Sequence, residues 1–106
     1  MRTRERKTAP APKPYGRYIK IERCRIDCGN GLVEQRTERH YQRGVVSIGC
    51  YFIFGKEIAM YKKTPDAYFL AMNDMGVETD SGPVSDAIEN VRQMHEGAIL
   101  RHYLVV

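Results

Sequence analysis

The sequence predicts an α+β fold: an antiparallel β-sheet meander packed against one C-terminal-half α-helix, preceded by a basic, proline-containing N-terminal arm. Strand-like segments follow one another between turn residues, and one later segment has helical periodicity with both ends marked. With 106 residues, of which 42% are apolar, the chain can form one domain with a modest core. We expect the arm over residues 1–16 and the single domain over residues 17–106.

The arm is predicted because residues 1–16 have no periodic apolar pattern. Five basic residues fall within the first thirteen positions. Pro10, Pro12 and Pro14 favour an extended, polyproline-like conformation. Fully extended, a segment of this length reaches roughly 50 Å.

The first two predicted strands form a hairpin. From Arg17 onward apolar residues alternate, but their phase slips near Glu22–Arg23, which predicts a β-bulge there. The stretch CGNGL supplies residues that favour a tight hairpin turn. Residues 32–43 fit either a strand or a helix with a thin apolar stripe, and a strand is preferred because a turn precedes them. With so few apolar residues, this hairpin is expected at an edge of the sheet or projecting from it.

The stretch VVSIGCYFIF predicts the central strand, because both of its faces are apolar. Gly55–Lys56 is expected to form the tight turn into the next strand, EIAMYKK. Thr64-Pro65-Asp66 predicts the turn into a further strand, AYFLAM. Residues 77–79 are expected to add a short extension, and AILRHYLVV a final strand.

One helix is predicted from about Gly82 to Glu96, ended by Gly97. Pro83 suits its first turn, and the candidate N-cap residues are Asp80, Ser81 and Ser85. Its apolar stripe predicts one face packed on the sheet. The predicted buried set is Ile19, Ile21, Val46, Ile48, Cys50, Phe52, Phe54, Ile58, Met60, Tyr68, Leu70, Ile88, Val91 and Met94. The two-sided central strand also suggests that a partner or a second copy of the chain covers the other sheet face.

No combination of residues in the sequence indicates catalysis, and we predict a non-enzymatic protein without a cofactor or a metal. Cys24 and Cys28 have a spacing that zinc ligands use, and Cys50 and His40 are further candidate ligands. No second ligand pair accompanies them, so buried thiols are the favoured interpretation. Three cysteines are too few for a disulfide scaffold, which favours the cytoplasm. No segment reads as a bilayer span or secretory signal, so no membrane partner is expected.

The basic residues are the main candidates for binding. Residues 1–63 contain fifteen Lys and Arg against six Asp and Glu, whereas residues 64–106 contain two against seven. This asymmetry is typical of proteins that bind nucleic acid or an acidic protein surface, or that associate head to tail. Tyrosines interleaved with arginines further suggest stacking on unpaired bases. The predicted contact residues are Arg2, Arg4, Arg6, Lys7, Lys13, Arg17, Arg23, Arg25, Arg36, Arg39 and Arg43, with Tyr15, Tyr18 and Tyr41 for stacking.

The stretches FGKEIAMY and MGVETDSGPVSDAIENV, within residues 54–91, resemble small uncharacterised bacteriophage and prophage accessory proteins. In that class a Gly-x-x-Ile-Ala strand precedes a Gly-Trp-x-Thr stretch and a capped helix. Here Val77 stands in place of the tryptophan, and Asp80-Ser81-Gly82 in place of a threonine run. The resemblance implies a phage-encoded accessory protein in the cytoplasm of a host bacterial cell, and it transfers no functional residues.

Two functions are therefore expected as alternatives. The first is a binding protein that inhibits or modulates a host nucleic-acid-handling or defence complex, so that its partner is a host protein or nucleoprotein complex. The second is direct binding of DNA or RNA through the basic arm and hairpin. A homodimer is compatible with either function. The sequence does not decide between a protein and a nucleic-acid partner.

Overall fold

A computed structural model of the chain describes residues 14–73 and 82–103. One six-stranded sheet has its strands in chain order, antiparallel except for a parallel last pair, and carries one helix. The predicted α+β meander with one C-terminal-half helix is therefore confirmed. Residues 1–13 of the predicted arm and the expected extension at residues 77–79 lie outside the described residues. The elements are β1 (Tyr18–Gly29), β2 (Leu32–Tyr41), β3 (Gly44–Ile53), β4 (Lys56–Lys63), β5 (Tyr68–Asn73), α1 (Pro83–Met94) and β6 (Ile99–Tyr103).

Two tight turns with left-handed residues join β1 to β2 and β3 to β4. Asn30 and Gly31 have φ angles of 57° and 84°, as a type I′ turn requires, so the predicted hairpin and the strand after it are confirmed. The turn between β3 and β4 is built by Phe54 and Gly55, with φ angles of 47° and 82°. The prediction placed this turn one residue later. Phenylalanine is an unusual residue for a left-handed conformation, so residue preferences did not indicate Phe54 as a turn position.

The predicted irregularity of β1 lies elsewhere. Pairing with β2 is regular through Glu22 and Arg23, so the expected bulge at that point is wrong. The register instead shifts between Tyr18 and Lys20 and again between Asp27 and Gly29. The first shift has a consequence for the surface, because it places Tyr18 directly opposite Tyr41 of β2.

Helix α1 crosses from the end of β5 to the start of the parallel strand β6. Its N-cap is Gly82, without a side-chain hydrogen bond, so Ser85 is not the cap; Asp80 and Ser81 lie outside the described residues. Pro83 occupies the first turn as predicted. Ala87 and Val91 are buried against the sheet, which anchors the helix through one apolar stripe.

The core lies between α1 and the sheet face that carries Tyr51 and Ile53, which we call the covered face. The core residues are Leu32, Tyr51, Ile53, Ile58, Ala59, Tyr61, Leu70, Met72, Ala87 and Val91. Alternation places Val46, Ile48, Cys50 and Phe52 on the opposite face, which we call the open face.

Most of the predicted core is therefore wrong. Of that set, Ile58, Leu70 and Val91 are buried; the half-buried members are Ile21, Val46, Cys50, Phe52, Tyr68 and Ile88. The exposed members are Ile19, Ile48, Phe54, Met60 and Met94. Both faces of β3 are apolar, and alternation alone cannot say which one the helix covers. Gly49 and Tyr61 determine which face of β3 the helix covers. Gly49 leaves room for the ring of Tyr61 on the covered face, so that this face can pack against the helix.

Candidate nucleic-acid interface

Three predicted contact residues, Arg23, Arg25 and Arg39, lie together on the open face of the β1–β2 hairpin. Arg23 and Arg25 alternate along β1, and Arg39 pairs with Ile21 on that same face. All three side chains are exposed. The structure therefore brings the hairpin arginines onto one surface, where their guanidinium groups can reach a common ligand.

The sequence interpretation missed two further cations on the open face, Lys62 and Arg101. Lys62 of β4 pairs with Ile48, and Arg101 of β6 pairs with Ala71. The guanidinium carbon of Arg101 lies 5.1 Å from the centre of the Phe69 ring. Alternation along β4 and β6 could have placed these two residues on the open face. They were missed because the sequence interpretation assigned that face of β3 to the core.

The predicted stacking residues Tyr15, Tyr18 and Tyr41 form one cluster at the end of the hairpin. The ring centres of Tyr18 and Tyr41 are 5.8 Å apart, and those of Tyr15 and Tyr41 are 6.2 Å apart. The hydroxyl of Tyr15 donates a hydrogen bond to Asp66 at 3.0 Å. These rings border a groove of about 620 Å³, which Arg39 and Lys62 also line.

Two backbone hydrogen bonds fix the described start of the chain beside this groove. The amide of Gln42 donates to the carbonyl of Arg17 at 2.8 Å, and the amide of Arg43 donates to the carbonyl of Tyr15 at 2.8 Å. Pro14 is itself part of the groove wall. The basic residues at positions 2, 4, 6, 7 and 13 lie outside the described residues, but the chain that carries them joins the domain here.

The remaining predicted contact residues are placed differently. Arg17 and Arg43 are exposed near the groove, and one guanidinium nitrogen of Arg43 donates to the carbonyl of Pro14 at 3.5 Å. Arg36 lies on the covered face, opposite Gly49. Its Nε donates to Glu34 Oε2 at 2.9 Å, so this arginine belongs to an internal ion pair and is not part of the open face.

The two ends of the open face differ in charge. Among the described strand residues on this face, the acidic ones are Asp27 and Glu57, near the turns at residues 30–31 and 54–55. Both carboxylates accept hydrogen bonds, from the amide of Gly29 at 2.9 Å and from the hydroxyl of Tyr103 at 2.7 Å. The end that carries the tyrosine groove is therefore the cationic end.

An ion pair with a buried carboxylate and a half-buried arginine lies on the covered face. Glu34 is 3% exposed and accepts hydrogen bonds from Arg36 and from the Tyr61 hydroxyl, the latter at 2.5 Å. Burial alone would raise the pKa of Glu34, but these donors hold it below its usual value. Burial, together with the hydrogen bond to Glu34, raises the pKa of Tyr61. Glu34 is thus a paired internal carboxylate. Its hydrogen bonds and its ion pair with Arg36 explain why a charged residue can face the core.

His95, just beyond α1, is held between two tyrosines. Its Nε2 lies 2.5 Å from the Tyr51 hydroxyl and its Nδ1 lies 2.5 Å from the Tyr68 hydroxyl. Burial lowers the pKa of His95, so the neutral imidazole is favoured. His95 is therefore a packed histidine with each ring nitrogen beside a tyrosine hydroxyl.

Within the described part of the chain, three side chains with metal-ligating atoms meet at Glu22, Glu38 and His40. His40 Nε2 lies 3.0 Å from Glu22 Oε1, and Lys20 pairs with the same carboxylate at 3.4 Å. This group is an exposed network of opposite charges on the covered-face side of the hairpin. Cys24 and Cys50 lie on opposite faces of the sheet, so Cys50 cannot complete a zinc site with Cys24. Cys24 is exposed, so its interpretation as a buried thiol is wrong, whereas Cys28 and Cys50 are half-buried.

Together, the fold and the site define a class: an open α+β sheet with one helix-covered face and one face that combines apolar, aromatic and cationic side chains. Comparison with protein-family models, curated proteins and solved structures finds no match to this chain. The helix found in residues 14–73 and 82–103 is too short and too polar to cross a membrane.

Proposed function

We propose that this chain is a small non-enzymatic accessory protein that binds nucleic acid, free or held in a host nucleoprotein complex, through its open face and basic arm. The observation that carries the proposal is the position of Arg23, Arg25 and Arg39, which share an exposed surface with Lys62 and Arg101. Five cations on one face fit a polyanion, because each can contact a phosphate and release counterions.

The arrangement of the open face supports contact along a strand of nucleic acid. Arginines on β1 and β2 line one side, and the cations of β4 and β6 extend the surface across the sheet. Apolar and aromatic side chains such as Phe52 and Phe69 lie between them, half-buried. A sheet of this kind offers phosphates a charged border and offers bases an apolar centre.

The N-terminal arm would add to this contact. It enters the domain at Pro14, beside the cationic end of the open face. Its five basic residues at positions 2, 4, 6, 7 and 13 would then lie within reach of the same ligand. The arm and the hairpin therefore act as one extended cationic surface in this proposal.

We further propose a phage-type setting for this protein. The resemblance of residues 54–91 to small phage and prophage proteins suggests action on a nucleic-acid-handling or defence complex in the cytoplasm of a host bacterial cell. In that setting the protein would inhibit or modulate the complex in one of two ways. It would occupy the nucleic-acid site of the complex, or it would bind the nucleic acid that the complex holds.

A protein partner is the second candidate, favoured by the apolar content of the open face. Ile48, Met60 and Ile99 are 38%, 40% and 56% exposed. A cluster of exposed apolar side chains with a charged border is a feature of protein interfaces. A host protein or a second copy of the chain would then cover this face.

Fluorescence anisotropy with labelled oligonucleotides, measured over a series of salt concentrations, tests the proposal. We expect binding that weakens steeply as salt rises. Replacing Arg23, Arg25 and Arg39 together by glutamine should lower the slope of log K against log salt by about two, as expected for three lost phosphate contacts. Glutamines at Arg2, Arg4 and Arg6 should lower it in the same direction.

The matched control is Arg92→Gln, which removes one exposed arginine from α1, on the other side of the sheet. It should leave affinity and slope unchanged. Absence of binding at low salt would exclude the proposal. A loss in Arg92→Gln of about one third of that in the triple variant would show that only net charge matters, since it removes one charge where the triple variant removes three. A salt-insensitive complex with a host protein would favour the second candidate.

A further inference from the structure

We propose that the groove beside Tyr18 and Tyr41 is a stacking site for one unpaired base, so that the protein selects single-stranded over duplex nucleic acid. This inference rests on the proposed nucleic-acid function and specifies its substrate. The relevant structure is the irregular start of β1, where the register shift turns Tyr18 toward Tyr41.

The groove is large enough to admit a nucleobase. Its volume of about 620 Å³ lies within the usual range of ligand sites. Val46 and Ile48 contribute apolar surface, and the rings of Tyr18 and Tyr41 border it. Tyr18 is 48% exposed and meets Tyr41 edge to face, with ring centres 5.8 Å apart, so part of its ring surface is accessible to a stacking partner.

The β-bulge is what creates this arrangement. In a regular strand Tyr18 would share a face with Lys20 and Glu22, on the covered-face side of the hairpin. The shift between Tyr18 and Lys20 instead pairs Tyr18 with Tyr41, and both rings line the groove. Bulges that redirect a side chain in this way are common next to functional sites.

Charge decides which occupant fits. Arg39 and Lys62 line the groove, and none of its described lining residues is acidic. The nearby carboxylate of Asp66 is engaged by the Tyr15 hydroxyl at 3.0 Å. The chain's own arm is a poor occupant, because residues 1–13 carry five basic residues against one acidic residue. A nucleotide fits, since its base can stack on tyrosine while its phosphate meets a cation.

This geometry discriminates against duplexes. Bases in a duplex are paired and stacked on their neighbours, and they cannot enter a groove without being extruded. An unpaired base has both of its faces available. We therefore expect tighter binding to single strands, with a contribution from stacking that does not depend on salt.

The test uses the full chain and a single-stranded oligonucleotide that carries 2-aminopurine, whose fluorescence is quenched when the base stacks. Two variants form a matched pair: Tyr18→Phe keeps the aromatic ring, and Tyr18→Leu keeps an apolar side chain without it. We expect quenching and wild-type affinity with Tyr18→Phe. Tyr18→Leu should lose the quenching and weaken single-strand binding by about 5- to 150-fold, with duplex binding unchanged.

The outcomes separate this inference from the proposed function. If single strands and duplexes bind equally and Tyr18→Leu changes neither, the stacking site is wrong while nucleic-acid binding stands. If no oligonucleotide binds at low salt, the proposed function fails and the stacking site fails with it. Thermal unfolding of both Tyr18 variants serves as the folding control. Tyr41→Leu removes the second ring of the groove and should also lose the quenching.

Discussion

The imidazole Nε2 of His95 lies 2.5 Å from the hydroxyl oxygen of Tyr51, so the end of α1 is joined to the centre of the sheet by a polar contact. Tyr51 is 1% exposed, and its ring also lies 5.9 Å from that of Tyr61. A second hydroxyl, from Tyr68, lies 2.5 Å from the other ring nitrogen. The ring of His95 also lies 4.4 Å from that of Tyr61, so His95 links the end of the helix to β3, β4 and β5.

Replacing His95 by alanine should destabilise the protein by about 2–4 kcal/mol, because the hydroxyls of buried Tyr51 and half-buried Tyr68 would each lose a hydrogen-bond partner and the ring contacts would be lost. Urea unfolding followed by circular dichroism measures this. His102→Ala, at an exposed histidine of β6, is the matched control and should change stability by less than about 0.5 kcal/mol. Equal losses in the two variants would contradict the role of His95.

Stability should also fall as the pH is lowered below about 6.5, the ordinary pKa of histidine. Burial lowers the pKa of His95 in the folded state, with Arg36 and Lys63 acting in the same direction and Glu34 opposing them. The unfolded chain therefore takes up the proton first, and stability that is fully present above the unfolded pKa is lost as pH falls toward the folded one.

Unfolding at pH 7.5 and pH 5.5 tests this, since that range lies above the ordinary pKa of carboxyl groups. His95→Gln keeps a polar side chain without titrating and should show a smaller difference between the two pH values. The prediction is wrong if the wild type and the variant have the same pH dependence.

Glu34→Gln should destabilise the protein by about 1–3 kcal/mol, because Arg36 and Tyr61 would lose the charged acceptor that their hydrogen bonds require. Glu34→Ala should cost more, since it leaves the guanidinium unpaired. The control is Glu22→Gln, which alters a solvent-exposed ion pair and should change stability much less than Glu34→Gln. Chemical denaturation ranks the three variants, and a neutral Glu34→Gln would contradict the interpretation.

Gly49→Ala should destabilise the protein by about 1–3 kcal/mol. A Cβ atom at Gly49 would lie 2.3 Å from the Tyr61 ring, so the ring would have to move and its hydrogen bond to Glu34 would be strained. Ser47→Ala, two residues earlier on the same strand face, should be close to neutral. Thermal unfolding compares them, and a wild-type melting temperature for Gly49→Ala would show that Tyr61 is not confined.

Much of the fold was readable from local patterns. The turn at Asn30–Gly31, the strand pattern of residues 45–54 and the stripe that includes Val91 each specify their element without reference to the rest of the chain. What local patterns could not specify was the face of β3 that the helix covers. That choice depends on Gly49 and Tyr61, which meet only when β3 and β4 pair.

The candidate site shows the same division. The sequence identified Arg23, Arg25 and Arg39 by composition, and alternation explains why they share a face. It also named Arg36, whose partner Glu34 lies two residues away on the same strand, and this spacing was the missed signal for an ion pair. The grouping of Tyr15, Tyr18 and Tyr41 depends on a bulge that the sequence placed elsewhere.

The parallel pairing of β5 with β6 has a consequence for the order of folding. The first five strands are joined by short turns, so each can pair with its neighbour as soon as both have been synthesised, at a small entropic cost of loop closure. Strand β6 has no such neighbour in sequence and reaches the sheet only after the chain has passed through α1. The meander is therefore expected to form early, with docking of α1 and β6 as the late, rate-limiting event. Amide hydrogens of β6 should accordingly exchange with solvent before those of β3 do.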